Sequence, residues 1–290
     1  ADRVRGRLRG RRAGGGGAVV ILPGIYPDMD EATYRGARAV SCSTLKRFAD
    51  APAKAHVSLP ETDSMRAGRL IHSAVMEAWS FDARYQRTDL DRRGTKAWQE
   101  EEAAALSTGR TLIKASEYEQ MAVIRDAVHA HPTARELLAP GLTTETAVFW
   151  DDPVTGARCR ARMDGIRRDM RLILDVKTTR DASPRKFARS AAELRMHWQD
   201  AWYRDGIAAA PGGFRPDGFL FLAVERDAPH LIAVYEMPED TVEAGRRQVR
   251  AALHGYLDCE RRGEWPGYPT SITPLHLPEW ATISDEESAA

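Results

Sequence analysis

The segment from Leu172 to Lys177 places two charged side chains in an otherwise apolar run. Side chains alternate between the two faces of an extended strand, so Asp175 and Lys177 point to one face while the leucines and Val176 point to the other. When the apolar face is buried against a core, a carboxylate and an ammonium share one pocket on the opposite face. The segment therefore predicts a half-polar strand of an α/β fold, with a site built on it.

Asp164, Asp175 and Lys177 are residue types that phosphodiester hydrolysis uses. A hard cation such as Mg²⁺, held by carboxylates, stabilises charge on phosphate oxygens and makes water nucleophilic. A lysine can orient or deprotonate that water, because its pKa falls beside a cation or on burial, whereas arginine stays protonated. The chain has 36 Arg and only 6 Lys, and no other lysine follows an acidic residue by two positions. About one such triplet is expected by chance, so the hypothesis depends on the surrounding sequence.

Two predicted helices supply further polar side chains. Apolar residues recur every three or four positions through residues 67–75, and His72 lies between them with Gly68 one turn before it. The absent side chain of Gly68 would let the backbone or a ligand approach closely. Gln199 and Tyr203 are four residues apart and are therefore neighbours on one helical face. A structural histidine and ordinary helix packing are the alternatives for these residues.

Together these segments resemble the PD-(D/E)xK nucleases of the RecB type, and most closely the RecE (exonuclease VIII-like) branch of phages and prophages. The resembling positions are Tyr34, residues 41–46, residues 68–72, Glu145, residues 162–165, residues 175–179, residues 181–187, Gln199 and Tyr203. These short motifs occur in the family's order and cover about residues 22–265. One formal departure is that no proline stands beside Asp164, and the third signature position is Asp175, with Val176 between it and Lys177.

The resemblance implies a PD-(D/E)xK (restriction-endonuclease-like) α/β core, with a central mixed β-sheet flanked by helices and a helical N-terminal region. It implies Mg²⁺ as the cofactor, with Mn²⁺ as a substitute, and the implied ligands are His72, Asp164, Asp175 and the main-chain carbonyl of Val176. Lys177 would be the catalytic lysine and Glu145 an accessory acidic residue. Gln199 and Tyr203 would contact both the active site and the DNA end.

The implied activity is a 5′-to-3′ exonuclease that degrades one strand of a duplex from its end and leaves a 3′ overhang for phage-type recombination. Double-stranded DNA ends, a RecT-like single-strand annealing protein and a ring of identical subunits are the implied partners. Two alternatives stay open. A structure-specific or restriction-like endonuclease would use the same centre, and a non-catalytic DNA-binding relic would have lost a ligand or the lysine, all of which are present.

Positive charge is clustered and not global. The chain has 42 basic and 42 acidic residues, so its formal net charge is zero and DNA binding must come from local clusters. Arg160 and Arg162 alternate along the predicted strand that leads to Asp164 and would share its face, which predicts DNA contacts for both arginines. A solvated strand face is the alternative. Six arginines within residues 3–12, followed by glycines at 14–17, predict a flexible arm that could hold DNA phosphates.

Composition sets the expected domain organisation. Residues 1–21 form the predicted arm, residues 22–265 the nuclease domain, and residues 266–290 a proline-rich and acidic tail. The apolar stretch at residues 18–23 is too short for a membrane span or a signal core, which predicts a cytoplasmic protein, in the bacterial host if a phage encodes it. Three widely spaced cysteines argue against a disulfide framework, a zinc site or an iron–sulfur cluster.

Sequence periodicity predicts the order of elements. Helices are expected at residues 43–49, 65–79, 97–106, 115–129, 184–192, 195–209 and 239–262. Strands are expected at residues 144–151, 157–166, 172–178, 218–225 and 231–235, with a hairpin turn at 152–156 and exit turns at prolines 132 and 140. Asp164, Asp175 and Lys177 then lie on adjacent strands, with His72 on a helix above them.

Trp198 and Trp202 flank the predicted glutamine and tyrosine of the site. An aromatic ring near a nuclease site could stack on a base, although core packing is the commoner use of tryptophan. Both possibilities are left open by the sequence.

Overall fold

The computed structural model describes residues 20–27, 29–58 and 60–277. Most of the predicted arm and of the predicted tail lies outside these residues. In chain order the elements are β1 (Gly24–Tyr26), α1 (Glu31–Gly36), β2 (Val40–Ser41), α2 (Cys42–Asp50), α3 (Asp63–Met76), α4 (Ala78–Arg84), β3 (Tyr85–Thr88), α5 (Lys96–Ser107), β4 (Thr111–Lys114), α6 (Ala115–Ala130), α7 (Pro132–Leu137), β5 (Leu142–Asp151), β6 (Arg158–Arg167), β7 (Leu172–Thr179), α8 (Pro184–Glu193), α9 (Met196–Ala209), β8 (Gly218–Glu225), β9 (Ile232–Glu236) and α10 (Glu239–Arg262). A short 3₁₀ turn follows α2 at Pro52–Lys54.

A seven-stranded sheet forms the centre of the fold. Six strands hydrogen-bond in the order β1-β5-β6-β7-β8-β9, and β2 pairs with β6 beside this path. β5, β6 and β7 form an antiparallel meander, and β9 is antiparallel to β8. β8 runs parallel to β7, because α8 and α9 carry the chain back across the sheet between them. The sheet is therefore mixed, as the sequence predicts. β3 and β4 form a separate parallel pair.

Helices cover both faces of this sheet. On one face, α2, α8, α9 and α10 bury an aromatic core that includes Phe219 and Phe221. On the other face, α3, α6 and α7 bury a second core that includes Ile71. Neighbouring residues of β7 enter different cores, Ile173 the first and Leu174 the second, as strand alternation requires. The predicted core of a central mixed sheet flanked by helices is confirmed.

β6 changes its neighbour part-way along its length. Its residues 159–160 pair with β2, whereas residues 165–167 pair with β7. Within the described chain, residues 175–179 of β7 are hydrogen-bonded to β8 and no longer to β6. Residues 161–164 therefore border an opening between β2 and β7. We call this opening the fork, and it positions the candidate active site.

Two predictions about the helical regions are wrong. The helix predicted at residues 65–79 is two helices, α3 and α4, because Glu77 (φ −134°, ψ 39°) leaves the helical conformation between them. The buried carboxylate of Glu77 is held by Arg84, whose Nη2 lies 2.8 Å from Oε1. Pro132 begins α7 instead of marking an exit turn, since the first position of a helix needs no N–H.

The short strands β1 to β4 were not predicted, because runs of two to four residues carry too little alternation to be recognised. The longer elements agree with the sequence to within about two residues at either end, apart from the split helix. Across the residues that the structure describes, no helix has both the length and the apolar character that a membrane crossing would need.

Candidate active site

β7 presents Asp175 and Lys177 on one face, as strand alternation predicts. Asp175 is only 1% exposed, and its Oδ1 accepts a 2.5 Å hydrogen bond from Nε2 of Gln199 on α9. Its other oxygen, Oδ2, lies 2.5 Å from Nζ of Lys177. Both carboxylate oxygens therefore have partners within the protein, and the lysine is held in place by the aspartate two residues before it.

Asp164 enters the fork from β6. Its Oδ2 accepts a 2.8 Å hydrogen bond from the backbone N–H of Val176. This N–H is available to a side chain because the pairing of β6 with β7 stops at Gly165 and Leu174. A buried backbone N–H needs a partner, so the divergence of the two strands fixes Asp164 against β7.

His72 approaches the same carboxylate from α3. Its Nε2 lies 3.3 Å from Oδ2 of Asp164, and its Nδ1 lies 3.2 Å from Oε1 of Glu145. One donor atom from each of these three residues lies within 4.8 Å of the other two. Three elements distant in sequence thus bring an imidazole and two carboxylates together, and we call these residues the histidine cluster.

Glu145 reaches this cluster through an unusual backbone conformation. Its φ is +50°, in the left-handed region that residues other than glycine seldom adopt. The pairing of β5 with β6 is interrupted where Glu145 faces Asp164, and it resumes in the same register on both sides. Met163 and Ile166 enter the same core although three positions separate them, so the alternation of β6 changes phase here. Such strained positions concentrate at functional sites.

The two arginines predicted to contact DNA both lie near the ring of Tyr34. The guanidinium of Arg160 is 4.8 Å and that of Arg162 is 5.8 Å from the centre of its ring. Nη1 of Arg160 donates hydrogen bonds to the backbone carbonyls of Tyr34, Arg35 and Ala37, whereas its buried Nε has no hydrogen-bond partner among the described residues. Nε of Arg162 lies 2.5 Å from Oε2 of Glu145, and its buried Nη1 has no hydrogen-bond partner among the described residues. DNA binding by both arginines stays a prediction, and of the two it is Arg162 that lines the cleft containing His72.

Gln199 and Tyr203 of α9 lie on the side of the site that faces the aromatic core. Gln199 contacts Asp175, as described, while Tyr203 packs edge-on against Phe219 at 5.9 Å between ring centres. Burial raises the pKa of Tyr203 well above its ordinary value, so its hydroxyl stays protonated. Contact of either residue with a DNA end stays a prediction.

Trp198 and Trp202 are core residues. They are 6% and 4% exposed, and both pack in the aromatic core under the sheet. Their indole N–H groups are also engaged, by Oε1 of Gln248 at 2.7 Å and by the carbonyl of Arg160 at 3.1 Å. The base-stacking alternative for these tryptophans is therefore wrong, because neither ring can be reached by a nucleotide.

The histidine cluster carries a proton when no cation is present. Burial disfavours the charged imidazole of His72, but the carboxylates of Asp164 and Glu145 outweigh it and raise the pKa of His72 to about 9. Burial raises the pKa of Glu145 against the opposing effects of His72 and Arg162. The pKa of Asp164 is lowered, because the charges of His72 and Lys177 outweigh its burial. A cation bound here would have to displace the imidazole proton.

The two charged residues of β7 shift each other's pKa. Burial raises the pKa of Asp175 to about 6, although the charge of Lys177 opposes this. The pKa of Lys177 is also raised, since Asp175 and Asp164 outweigh the effect of its burial. Sequence reasoning expected the opposite direction for this lysine. A lowered pKa would require the charge of a nearby cation to offset the two carboxylates.

Two residues near the site were given no role from the sequence. Lys46 of α2 forms no ion pair within the described residues. Burial lowers its pKa, the charge of Lys177 lowers it further, and the charge of Asp175 opposes this. Trp79 is 81% exposed and lines a cleft of about 980 Å³ that contains His72, Glu145 and Arg162. The scarcity of lysine could have drawn attention to Lys46, whereas the exposure of one tryptophan requires the fold.

The histidine cluster fits a divalent cation. It offers two carboxylates and one imidazole within the short mutual distances that a single ion requires, and its side chains are 17–27% exposed to solvent. Oxygen ligands suit Mg²⁺, and Mn²⁺ also accepts imidazole. Asp175 lies outside this cluster, and its two carboxylate oxygens contact Gln199 and Lys177 instead.

The divided sheet, the acidic residues on β6 and β7 and the lysine two positions after Asp175 define the PD-(D/E)xK superfamily. The chain belongs to the family described as "PDDEXK-like domain of unknown function (DUF3799)", which matches residues 41–274.

A solved structure shares this fold. A candidate exonuclease from Eubacterium rectale aligns with a TM-score of 0.58 and 11% identity, over 89% of this chain and 99% of that chain. A protein called SSO0001 aligns with a TM-score of 0.28 and 18% identity, over 66% of this chain and 86% of that chain, and that likeness carries no argument. No curated protein matches the chain.

Proposed function

We propose that this protein is a divalent-cation-dependent deoxyribonuclease. The observation that carries the proposal is the arrangement at the fork, where the histidine cluster lies beside the Asp175–Lys177 pair in a PD-(D/E)xK fold. Carboxylates that can hold a hard cation, next to a lysine that can position water, are suited to phosphodiester hydrolysis.

Mg²⁺ is the proposed cofactor, with Mn²⁺ as a substitute. Asp164, Glu145 and His72 would hold the ion, and Asp175 with the carbonyl of Val176 would complete the set if the aspartate exchanged one of its present partners. When bound, such an ion supplies neutralisation of charge on a phosphate oxygen and a more acidic water. Release of the proton from His72 accompanies its binding, because the imidazole can be a ligand only when it is neutral.

Lys177 has the proposed catalytic role. Its Nζ is held by Oδ2 of Asp175 and retains two further N–H donors for the attacking water or a phosphate oxygen. Gln199 fixes the other oxygen of Asp175, so it positions the lysine indirectly. This chain of contacts aims an ammonium into the fork, where negative charge develops as the phosphodiester is attacked.

The cleft beside the histidine cluster is the proposed binding site for the DNA strand. Arg162 would face a phosphate, and the exposed ring of Trp79 offers a surface for stacking a base. Asp30, Glu31 and Glu77 also line this cleft, so its charge is mixed before a cation binds. Cation binding therefore prepares the cleft for a polyanion.

We further propose the RecE-like activity that the sequence resemblance implies. This is a 5′-to-3′ exonuclease that acts on duplex ends, leaves 3′ overhangs for recombination, and works as a ring of subunits with a single-strand annealing protein. Its support is the order of motifs from residue 34 to Tyr203 and the fold shared with the candidate exonuclease. An endonuclease with the same centre would differ in its need for a free end.

Matched linear and covalently closed circular duplexes of one sequence test this function. Each is incubated with Mg²⁺ or with EDTA, using wild type, Lys177→Ala and the control Lys96→Ala, whose side chain is 91% exposed. A second set of linear duplexes carries the label at the 5′ or at the 3′ end of one strand.

The proposal predicts Mg²⁺-dependent loss of the linear duplex alone, with early release of the 5′ label, by wild type and Lys96→Ala but not by Lys177→Ala. Cutting of the circle would show that the protein is an endonuclease, because a closed circle has no end for an exonuclease. Early release of the 3′ label would reverse the polarity. Absence of lysine-dependent cleavage on both duplexes would remove the nuclease function altogether.

A further inference from the structure

A small polar cavity lies beside the fork, between α3, the end of β7 and the turn after β8. Its volume is about 160 Å³, and its polar lining consists of Ser64, Thr178, Thr179, Arg180 and Arg226 around Gly68. Residues 64, 67, 68 and 71 of α3 border this cavity, whereas residues 69, 72, 73 and 76 border the large cleft. These are two different stripes of one helix, so the cavity is separate from the cleft that contains His72.

The charge of this cavity is positive. Arg180 and Arg226 line it, and no carboxylate is among its lining residues. Arg180 forms no ion pair within the described part of the chain. The carboxylate paired with Arg226 is that of Asp227, whose Oδ2 is 3.8 Å away from Nε and whose side chain is 72% exposed. The large cleft, by contrast, is lined by four acidic residues and three arginines, so its charge is mixed and an anion would be favoured in the small cavity.

Neutral hydrogen-bond donors accompany the two arginines. The hydroxyls of Ser64 and Thr178 have no hydrogen-bond partner among the described residues, and Ser64 lies in the first turn of α3, where the helix dipole favours negative charge. A Cβ on Gly68 would lie 3.2 Å from Oγ1 of Thr178, so a side chain there would crowd the hydroxyl. Glycine at this position keeps the cavity open. Guanidinium and hydroxyl donors around a small space match the oxygens of a phosphate.

The cavity lies close to the proposed reaction centre. Thr178 directly follows Lys177 on β7, and its hydroxyl faces Gly68 of α3, the helix that also carries His72. Gly68 precedes His72 by four residues on α3, or about 6 Å along the helix axis.

We propose that this cavity is a phosphate subsite, which binds a phosphate of the substrate strand next to the phosphodiester that is cut. The inference rests on the proposed nuclease function and names a contact for its substrate. Two sources share this chemistry: a phosphate monoester at the end of a strand, and an internal phosphodiester of the same strand.

Steady-state kinetics on duplexes that differ only in their termini test the subsite. The substrates carry a 5′-phosphate, a 3′-phosphate or hydroxyls at both ends. The variants are Arg180→Ala, Arg226→Ala, their lysine counterparts and the control Arg261→Ala, whose side chain is 74% exposed on α10. Arg226 makes its backbone contacts to Thr179 and Gln120 through main-chain atoms, so its truncation leaves them intact.

We expect each alanine variant to raise KM about tenfold or more with little change in kcat, because each loses a charge-assisted contact made before the chemical step. The lysine variants should recover part of this loss. A loss confined to a phosphorylated end identifies the terminal phosphate, whereas equal losses on all substrates identify an internal phosphodiester. KM values equal to that of Arg261→Ala on every substrate would overturn the subsite.

Binding of inorganic phosphate separates this inference from the nuclease function. In EDTA, phosphate should raise the melting temperature of wild type and of Arg261→Ala, but not that of the Arg180→Ala/Arg226→Ala double variant. If this melting pattern is found but wild type has no nuclease activity, the cavity is an anion site and the proposed function is wrong. The double variant could also remain an active nuclease, with the KM and the phosphate-dependent melting temperature of wild type. That result would leave the proposed function intact and overturn the subsite.

Discussion

The histidine cluster and the lysine pair lie on neighbouring strands of one fork, but they are built differently. His72, Glu145 and Asp164 come from three distant segments, and their side chains remain 17–27% exposed. Asp175 is almost fully buried, and both its oxygens are held, by Lys177 and by Gln199. The first group is accessible to an incoming ion, and His72 holds a proton between its two carboxylates when no ion is bound. In the second group, both oxygens of Asp175 have partners within the protein. This difference separates cation binding from the chemical step.

The largest effect is expected for Asp164→Asn. The change removes an anionic ligand from the histidine cluster but keeps an oxygen that can accept the N–H of Val176. We expect Mn²⁺ affinity to fall by at least about 10–100-fold and cleavage to become undetectable. Isothermal titration with Mn²⁺ and a cleavage assay check this, with Asp126→Asn, 71% exposed on α6, as the matched control. An unchanged Mn²⁺ titration would remove Asp164 from the ligand set.

A smaller loss is expected for His72→Gln. Glutamine keeps a polar group on α3 but lacks the imidazole nitrogens that face Glu145 and Asp164. We expect Mn²⁺ affinity to fall by about tenfold, with cleavage partly restored at high Mn²⁺. His129→Gln, at the end of α6, is the control. If added Mn²⁺ failed to restore activity, the histidine would have a role other than holding the ion.

Gln199→Leu tests the lysine pair through stability. The substitution leaves Oδ1 of the buried Asp175 without its donor, which costs about 1–3 kcal/mol of unfolding free energy. Equilibrium denaturation measures this loss, and Gln99→Leu on the exposed side of α5 is the control. Mn²⁺ affinity should not fall, since His72, Glu145 and Asp164 keep their ligand atoms and Asp175 loses only a competing partner. A large loss of affinity would show that the two groups act as one.

The pH dependence of cation binding tests the histidine cluster without any substitution. The pKa of His72 is raised to about 9, so the folded protein retains this proton above the pH at which an unfolded histidine loses it. The associated stability is present below the ordinary histidine pKa and is lost as pH rises through about 9. Cation affinity should therefore increase by at most about tenfold per pH unit up to that value and then level off. A flat profile between neutral pH and 9 would contradict displacement of the proton.

The lysine pair could be predicted from sequence because it is local. Asp175 and Lys177 are two residues apart on one strand, and alternation alone places them together. The long elements were predicted from equally local signals, since the 218–225 strand is a continuous apolar run and the 239–262 helix carries amphipathic periodicity. Assignment of His72, Glu145 and Asp164 to one site came from a family resemblance, because no local rule joins segments so far apart in the chain.

Other features of the site could not be predicted. The left-handed backbone of Glu145 and the fork at β6 arise from sheet pairing over long distances. Trp198 and Trp202 flank the predicted glutamine and tyrosine of the site in the sequence, yet tertiary packing buries both rings in the core. Arg160 follows the predicted alternation, but its guanidinium is engaged by carbonyls near Tyr34, which the sequence does not bring near it.

Parallel measurement of Mn²⁺ affinity and single-turnover cleavage, on wild type and Lys177→Ala, tests the division between the two groups most directly. We predict nearly unchanged Mn²⁺ affinity and a cleavage rate lower by about 10²–10⁴-fold, because the lysine acts in the chemical step and not in holding the ion. Retained cleavage by Lys177→Ala, at a rate close to that of wild type, would contradict a hydrolytic centre at the fork.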